Sequence, residues 1–331
     1  MGRIGSSATQ PAWKPQICEN VPNIEDRTLR WAAQLGIEAL ALPGRTADPE
    51  GLGYWTNTSC RAVAAKLHEF GLDVGIMMLH NVTPRIILGQ SGRDEDIENG
   101  IRSIRAAAAA SYRAIEYNFY NHRAVEGYRQ EMPGRGGSTY VDYDDARIRA
   151  LPPLPEIGTP TSEETWQHLE YFLRAVVPVA DESGVLLAVH PNDPPPPVSR
   201  GAAQILHNLD GMKRLIDLVP GTAHGITFCQ GSLAEWGIDV IDAIHYFGSR
   251  GRIHHVHYRN PEGTYPAYVE PWIDEGGLNM FEAMRAYREV DYRLTLCSDH
   301  VPHMTDDIDF GLIGRAYNHG YIKAMIHAVN Q

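Results

Sequence analysis

The stretch between residues 185 and 299 holds VLLAVH (185–190), GITFC (225–229), RIHHVHY (252–258) and RLTLCSD (293–299), four short apolar runs each carrying a metal-ligating residue type at or next to its end. Runs of this length, largely apolar and rich in β-branched residues, are what strands covered on both faces require. Four more of the kind precede them: QICEN (16–20), IEALALP (37–43), DVGIMML (73–79) and RAIEYNF (113–119). Helical patterns separate and follow them, from IEDRTLRWAAQLG near the start to LIGRAYNHGYIKAMIHAV at the end. Asn23 is expected to cap the first helix, with Gly36 just beyond its end. Thr161 and Glu164 stand in capping-box spacing before TWQHLEYFLRAVVPVADESG. Eight strands alternating with eight helices predict a closed parallel (β/α)8 barrel. An open doubly wound sheet would compete, but no glycine-rich phosphate loop follows any of the runs.

No repeat or linker divides the 331 residues, so one barrel domain over 1–331 is expected, with residues 1–14 as a loose leader. Long stretches after the fourth and seventh strands (120–160 and 259–276) should project from the catalytic face as lids or binding loops. A net charge of -12 argues against nucleic acid as a partner. It leaves room for a small anionic substrate in a locally positive pocket. No apolar run approaches the roughly 20 residues of a membrane span, and the N-terminus lacks the apolar core of a signal peptide. Four scattered cysteines without a CxxC pair point to a reduced, cytoplasmic protein.

Barrel enzymes carry their chemistry at the C-terminal ends of the strands. The last four strands place His190, Cys229, His257 and Asp299 there, one per strand on consecutive strands, so the four can converge on a metal. Singly, such a histidine is more often structural and such a cysteine more often core. Four ligating types at equivalent positions favour a metal centre. Asp193 lies in the proline-stiffened HPNDPPPP loop. The small residues after Cys229 would let a substrate approach the backbone closely. Arg259 is placed to clamp a carboxylate, and His300 to act as acid or base. His255 shares a face with His257 but lies deeper, and is read as packing or support. His319 and His327 are expected at the surface or an interface. The tyrosines of 112–143 either line a sugar-sized pocket or face solvent. Cys18, Cys60 and Cys297 are expected in the core, although Cys18 and Glu19 end the first strand and could face the pocket.

The segments GRDEDIENGIRSIRAA (92–107), EYNF (116–119), VHPNDPPPP (189–197), LIDLVPGTAHGITFCQGS (215–232), RIHHVHYRN (252–260) and SDH (298–300) resemble the mannonate dehydratase family. The likeness covers most of the chain and is densest from 160 to 300. It implies a xylose-isomerase-like TIM barrel with metal ligands at His190, Cys229, His257 and Asp299. It also implies dehydration of a six-carbon aldonate to a 2-keto-3-deoxy acid with Mn2+ or Fe2+, Co2+ or Zn2+ being further candidates. A homo-oligomer is expected by analogy alone. Catalytic candidates are His300, Arg259, Tyr120 and His303. The sequence departs from the family pattern at Asn192 (an acid there), Gln204 (an arginine), Ile273 (a histidine), Asn279 (an aspartate) and Tyr120–Asn121 (Met-Pro). Phe310 stands where the family has a tyrosine thought to move a proton, leaving His303, Tyr317 or Tyr120 to replace it. A metal-dependent sugar isomerase or epimerase, or a member that binds without turnover, remains an alternative.

Overall fold

The structure, a computed structural model, describes residues 12–80 and 82–331. All eight expected strands form, at Gln16–Asn20, Ala39–Leu42, Asp73–Met78, Ala114–Tyr117, Leu186–Val189, His224–Cys229, Ile253–His257 and Thr295–Cys297. Each pairs in parallel with the next, and the eighth closes on the first through Gln16↔Thr295 and Ile17↔Leu296. A helix follows every strand and packs outside the barrel.

The helix Ser162–Ser183 shows why these segments are helical. Trp166, Leu169, Phe172, Leu173, Val176 and Val177 are buried at the three- and four-residue spacing of one helical face. The Thr161–Glu164 capping box is present, and Gly184 ends the helix in the left-handed region at φ 68°. The first helix, Asp26–Gln34, differs from expectation: its cap position is Glu25, with no side-chain cap. Asn23 Oδ1 instead accepts from the Glu25 amide (3.1 Å) and the Thr28 hydroxyl (2.9 Å), bracing the turn that enters the helix.

The expected leader also needs correction. Residues 1–11 lie outside the described residues, but Trp13 is buried and its indole N–H donates to the Tyr292 carbonyl at 2.9 Å. An indole is too large an apolar surface to leave in water when a core groove is available.

The two long insertions are joined into one unit. Tyr128–Pro133 and Thr139–Asp144 form one hairpin, Glu262–Thr264 and Ala267–Glu270 another, and Ala267–Glu270 pairs antiparallel with Thr139–Asp144. Tyr143 stacks on Tyr268 (ring centroids 5.2 Å) and meets Tyr128 edge-on (5.3 Å), so these three tyrosines pack against one another. Both hairpins leave C-terminal strand ends, which stands the small sheet on the mouth of the barrel. Among the described residues no helix is long and apolar enough to cross a membrane.

Thr161→Ala removes the cap from the longest helix and should cost about 1 kcal/mol. Urea unfolding measures this, and an unshifted midpoint would mean the box contributes nothing.

Candidate metal centre

Cys229 and His257 are the last residues of their strands, while His190 and Asp299 come one and two residues after theirs; all four side chains are buried. His190, Cys229 and His257 each offer a ligand atom within 4.8 Å of the other two. Asp299 joins on the His257 side, its Oδ2 3.3 Å from His257 Nδ1. Asp299 has φ 61°, the left-handed backbone that costs an ordinary residue energy and recurs at functional sites.

The hydrogen bonding behind His190 fixes which nitrogen faces inward. Nδ1 lies 2.7 Å from the Pro191 carbonyl, which can only accept, so Nδ1 carries the hydrogen and Nε2 presents a lone pair. That Nε2 is 3.2 Å from His257 Nδ1. Two ring nitrogens at this distance need a proton or a cation between them. Tyr120, expected as a proton carrier, is used here: its hydroxyl donates to the Pro191 carbonyl (2.7 Å) and lies 2.9 Å from His190 Nδ1. It orients a ligand from behind, as outer partners of metal-binding histidines do.

Arg259 is the electrostatic centre of the group, and its placement differs from the expected substrate clamp. The guanidinium is buried and its two amino groups are taken by the protein, Nη1 by Glu270 (2.8 Å) and Nη2 by the Cys229 sulfur (2.9 Å) and Asp193, while Nε lies 3.0 Å from Asp299 Oδ2 without a hydrogen bond. Gly231 is small for this reason rather than to admit substrate. A Cβ there would lie 2.8 Å from Arg259 Cζ and Nε. Burial alone would raise the Cys229 thiol, but Arg259 and His190 outweigh it and hold it well below the ordinary thiol value. Burial is likewise outweighed at Asp299, held low by His257 and His300, and at Asp193, held low by Arg259 and His300.

His257 is pushed the other way. Burial would lower it, yet Asp299 raises it well above the ordinary histidine value. The position calls for positive charge. Among the described residues, no guanidinium or ammonium other than Arg259 touches the side chains of Cys229, Asp193, Glu270 and Asp299. A nitrogen, sulfur and carboxylate donor set with surplus negative charge can hold a divalent transition metal. A second group, His255, His257 and Cys297, needs no cation. His255 Nδ1 faces the Thr295 carbonyl (3.1 Å) and hydroxyl (2.7 Å), and the Cys297 thiol, raised to about 12 chiefly by burial, can donate to Nε2 at 3.5 Å.

Two acidic residues join the site that the strand-end reading did not name. Glu270, from the inserted sheet, holds His300 Nδ1 at 2.6 Å. Burial would lower His300, but the Asp299 and Glu270 carboxylates raise it. Glu116 ends its strand region one residue short and is buried, with Oε1 unpartnered and 4.0 Å from His257 Nε2. The strand-end rule that picked the ligands also covers Glu116. Nothing in a loop sequence signals Glu270. His300 and His303 both line an open cleft of about 820 Å3, His303 from its exposed rim. Phe310 lines it too, at φ 64°. Tyr317 does not: it packs on Trp272 in a separate groove.

Several departures from the family pattern have structural explanations. Asn192 Nδ2 donates to Gln204 Oε1 at 2.8 Å, so the changed acid and the changed arginine are partners, a buried amide pair in place of an ion pair. Asn279 caps the helix Met280–Glu289, accepting from the Glu282 amide, a task an aspartate does equally well. Ile273 is buried, and its carbonyl accepts from Asn260.

Glu19 does not face the cleft, and His319 is not at the surface; His327 is exposed. Glu19 is wholly buried and takes Arg315 Nη1 at 2.6 Å and His319 Nε2 at 2.7 Å. The same Arg315 donates to the Asp299 carbonyl (2.7 Å) and the Phe310 carbonyl (2.9 Å). This strut braces two left-handed residues of the last loop, Asp299 and Phe310. Arg315→Met would leave Glu19 buried without its main cation, at a cost of about 3–5 kcal/mol. Denaturant unfolding should register that loss; a cost below 1 kcal/mol would show that His319 and Ser298 suffice to support Glu19.

Residues 156–331 match the family model described as D-mannonate dehydratase (UxuA). Mannonate dehydratase 2 of Halalkalibacterium halodurans is 29% identical over 307 residues, covering 84% of this chain and 89% of the relative. Mannonate dehydratase of Thermotoga maritima is 28% identical over 320 residues, covering 84% and 87%. The crystal structure of mannonate dehydratase from Streptococcus suis superposes with a TM-score of 0.86 at 25% identity, over 96% of this chain and 94% of that one. A xylose isomerase domain protein from Alicyclobacillus acidocaldarius shares the fold, with a TM-score of 0.65 at 13% identity over 97% and 100%. With more than half of its length matched by that model, and a barrel that closes as in these structures, the chain belongs to the D-mannonate dehydratase family.

Proposed function

We propose that this chain is a metal-dependent hydro-lyase that dehydrates a sugar acid, mannonate or a related aldonate, to a 2-keto-3-deoxy acid. The observation that carries this reading is the approach of His190, Cys229, His257 and Asp299 to one buried point beside the His300–Glu270 pair, in a chain of this family. The reaction removes a proton from carbon 2 and hydroxide from carbon 3. The hydroxide leaves with a proton as water and the enol rearranges to the ketone, so no oxidant is needed.

A divalent cation held by the four residues, Mn2+ or Fe2+ first and Co2+ or Zn2+ next, supplies Lewis acidity toward substrate oxygens. His300 is the proposed donor to the departing hydroxyl. It faces the cleft, Glu270 fixes its Nδ1, and two carboxylates keep it charged. Glu116 belongs to the fourth strand, opposite the eighth in barrel order, and its buried unpartnered Oε1 is the proposed acceptor for the carbon-2 proton. The pair covers both proton transfers without a tyrosine at position 310. Arg259 keeps Cys229 anionic and Tyr120 orients His190, while His303 is left as a rim residue of the cleft.

Protein purified without chelator should carry about one Mn, Fe, Co or Zn per chain by elemental analysis, and His190→Ala with Asp299→Ala should abolish it. Unchanged metal in the double variant would sink the site. A panel of aldonates assayed for 2-keto-3-deoxy product tests the reaction. Silence across the panel with turnover of neutral ketoses would replace this reading by an isomerase or epimerase.

A further inference from the structure

An aldonate brings a carboxylate, and the arginine that the sequence offered for it is already engaged. Arg259 makes its bonds to Glu270, Asp193 and Cys229 and is buried away from the cleft. Beyond the proposed metal, a carboxylate in the cleft calls for a donor of its own, and the inference here rests on the sugar-acid reading. The cleft of about 820 Å3 is large enough for a six-carbon acid, and its guanidiniums are Arg123, Arg129 and Arg315. Arg315 is buried and committed to Glu19 and to the carbonyls of Asp299 and Phe310. Arg129 has its Nη1 committed to the carbonyls of Glu126 and Tyr128.

Arg123 is different. Its Nε donates to the Asp193 carbonyl at 2.8 Å, which anchors the guanidinium plane. Among the described residues neither Nη1 nor Nη2 has a protein acceptor, and no carboxylate pairs with it. One edge of a planar fork is therefore held and the other is presented. That is the geometry a carboxylate takes up with two parallel hydrogen bonds. The anchor also sets the register. Asp193, whose carbonyl holds Arg123, has its own carboxylate on Arg259 Nη2, and that nitrogen bonds Cys229 Sγ at 2.9 Å. A substrate held at Arg123 is thus positioned against the candidate metal centre through two residues. We propose that Arg123 takes the carboxylate of the substrate and sets the preference for sugar acids over neutral sugars.

The opposite wall fits this division. The smaller cavity beside Glu116 and Asn20 is lined mainly by Val21, Ala41, Leu42, Ile76 and Met78, which offer no cation.

The test compares the metal-loaded full chain with Arg123→Gln and Arg123→Lys, using D-mannonate and a neutral six-carbon ketose as probes. Loss of a charge-assisted pair should raise KM for D-mannonate roughly 10- to 100-fold in Arg123→Gln. Metal content, unfolding midpoint and the weak binding of the ketose should stay as they are. Arg123→Lys should recover part of the loss, since it restores the charge but not the fork. A wild-type KM in Arg123→Gln overturns the proposal, as does an equal loss for D-mannonate and the ketose. Failure of the unaltered chain to turn over or bind any aldonate overturns the sugar-acid reading, and this assignment with it.

Discussion

One buried guanidinium stands among more negative charge than it can balance, and the rest of the centre follows from that. Arg259 touches Asp193, Glu270, Asp299 and the Cys229 sulfur, all buried. The Cys229 thiol and the Asp193 and Asp299 carboxyls are each held below their ordinary values around this one guanidinium. Buried charge without compensation is among the most expensive features a fold can carry. A divalent cation held by His190, Cys229, His257 and Asp299 would supply positive charge there, and Asp299 already raises His257 well above the ordinary histidine value. Small residues and hydroxyls serve the same centre: Gly231 leaves room for the guanidinium, and Ser232 donates to Asp193 at 3.0 Å.

The barrel brings the candidate ligands together because consecutive strands deliver successive side chains to one rim. The insertions supply what the rim lacks. The hairpin after the seventh strand brings Glu270 to His300, and the hairpin after the fourth brings Tyr128 to Asp193. Because the hairpins pair with one another, His300 and the acid beneath Arg259 are tied to one small sheet. The Glu19–Arg315 strut does the same for the last loop, holding Asp299 and Phe310 in backbone conformations they would otherwise avoid.

Much of this was legible in the sequence, for a physical reason. Strands buried on both faces must be short and apolar, so RIHHVHY and its companions declare themselves, and a polar residue at such an end has few reasons to be there. Glu116 obeys the same rule one residue earlier in its strand. What was not legible depends on contacts between distant segments. No local pattern shows that Asn192 and Gln204 are partners, that Tyr268 stacks on Tyr143, or that His319 is buried against Glu19. Arg259 was identified as functional but given the wrong partner, since the sequence shows a guanidinium near the site and not the four groups already bound to it. Trp13 was lost in a leader that composition alone makes look unstructured.

The central claim is that Cys229 is a thiolate bound to a metal rather than a buried core cysteine. Cobalt reports this directly, because a thiolate ligand gives Co2+ a sulfur-to-metal charge-transfer absorption in the near ultraviolet. Titrating the metal-free chain with Co2+ should develop that band to saturation at about one equivalent, and Cys229→Ser should bind Co2+ without it. A wild-type chain that takes up Co2+ with no thiolate band, or a band that survives in Cys229→Ser, would contradict the account.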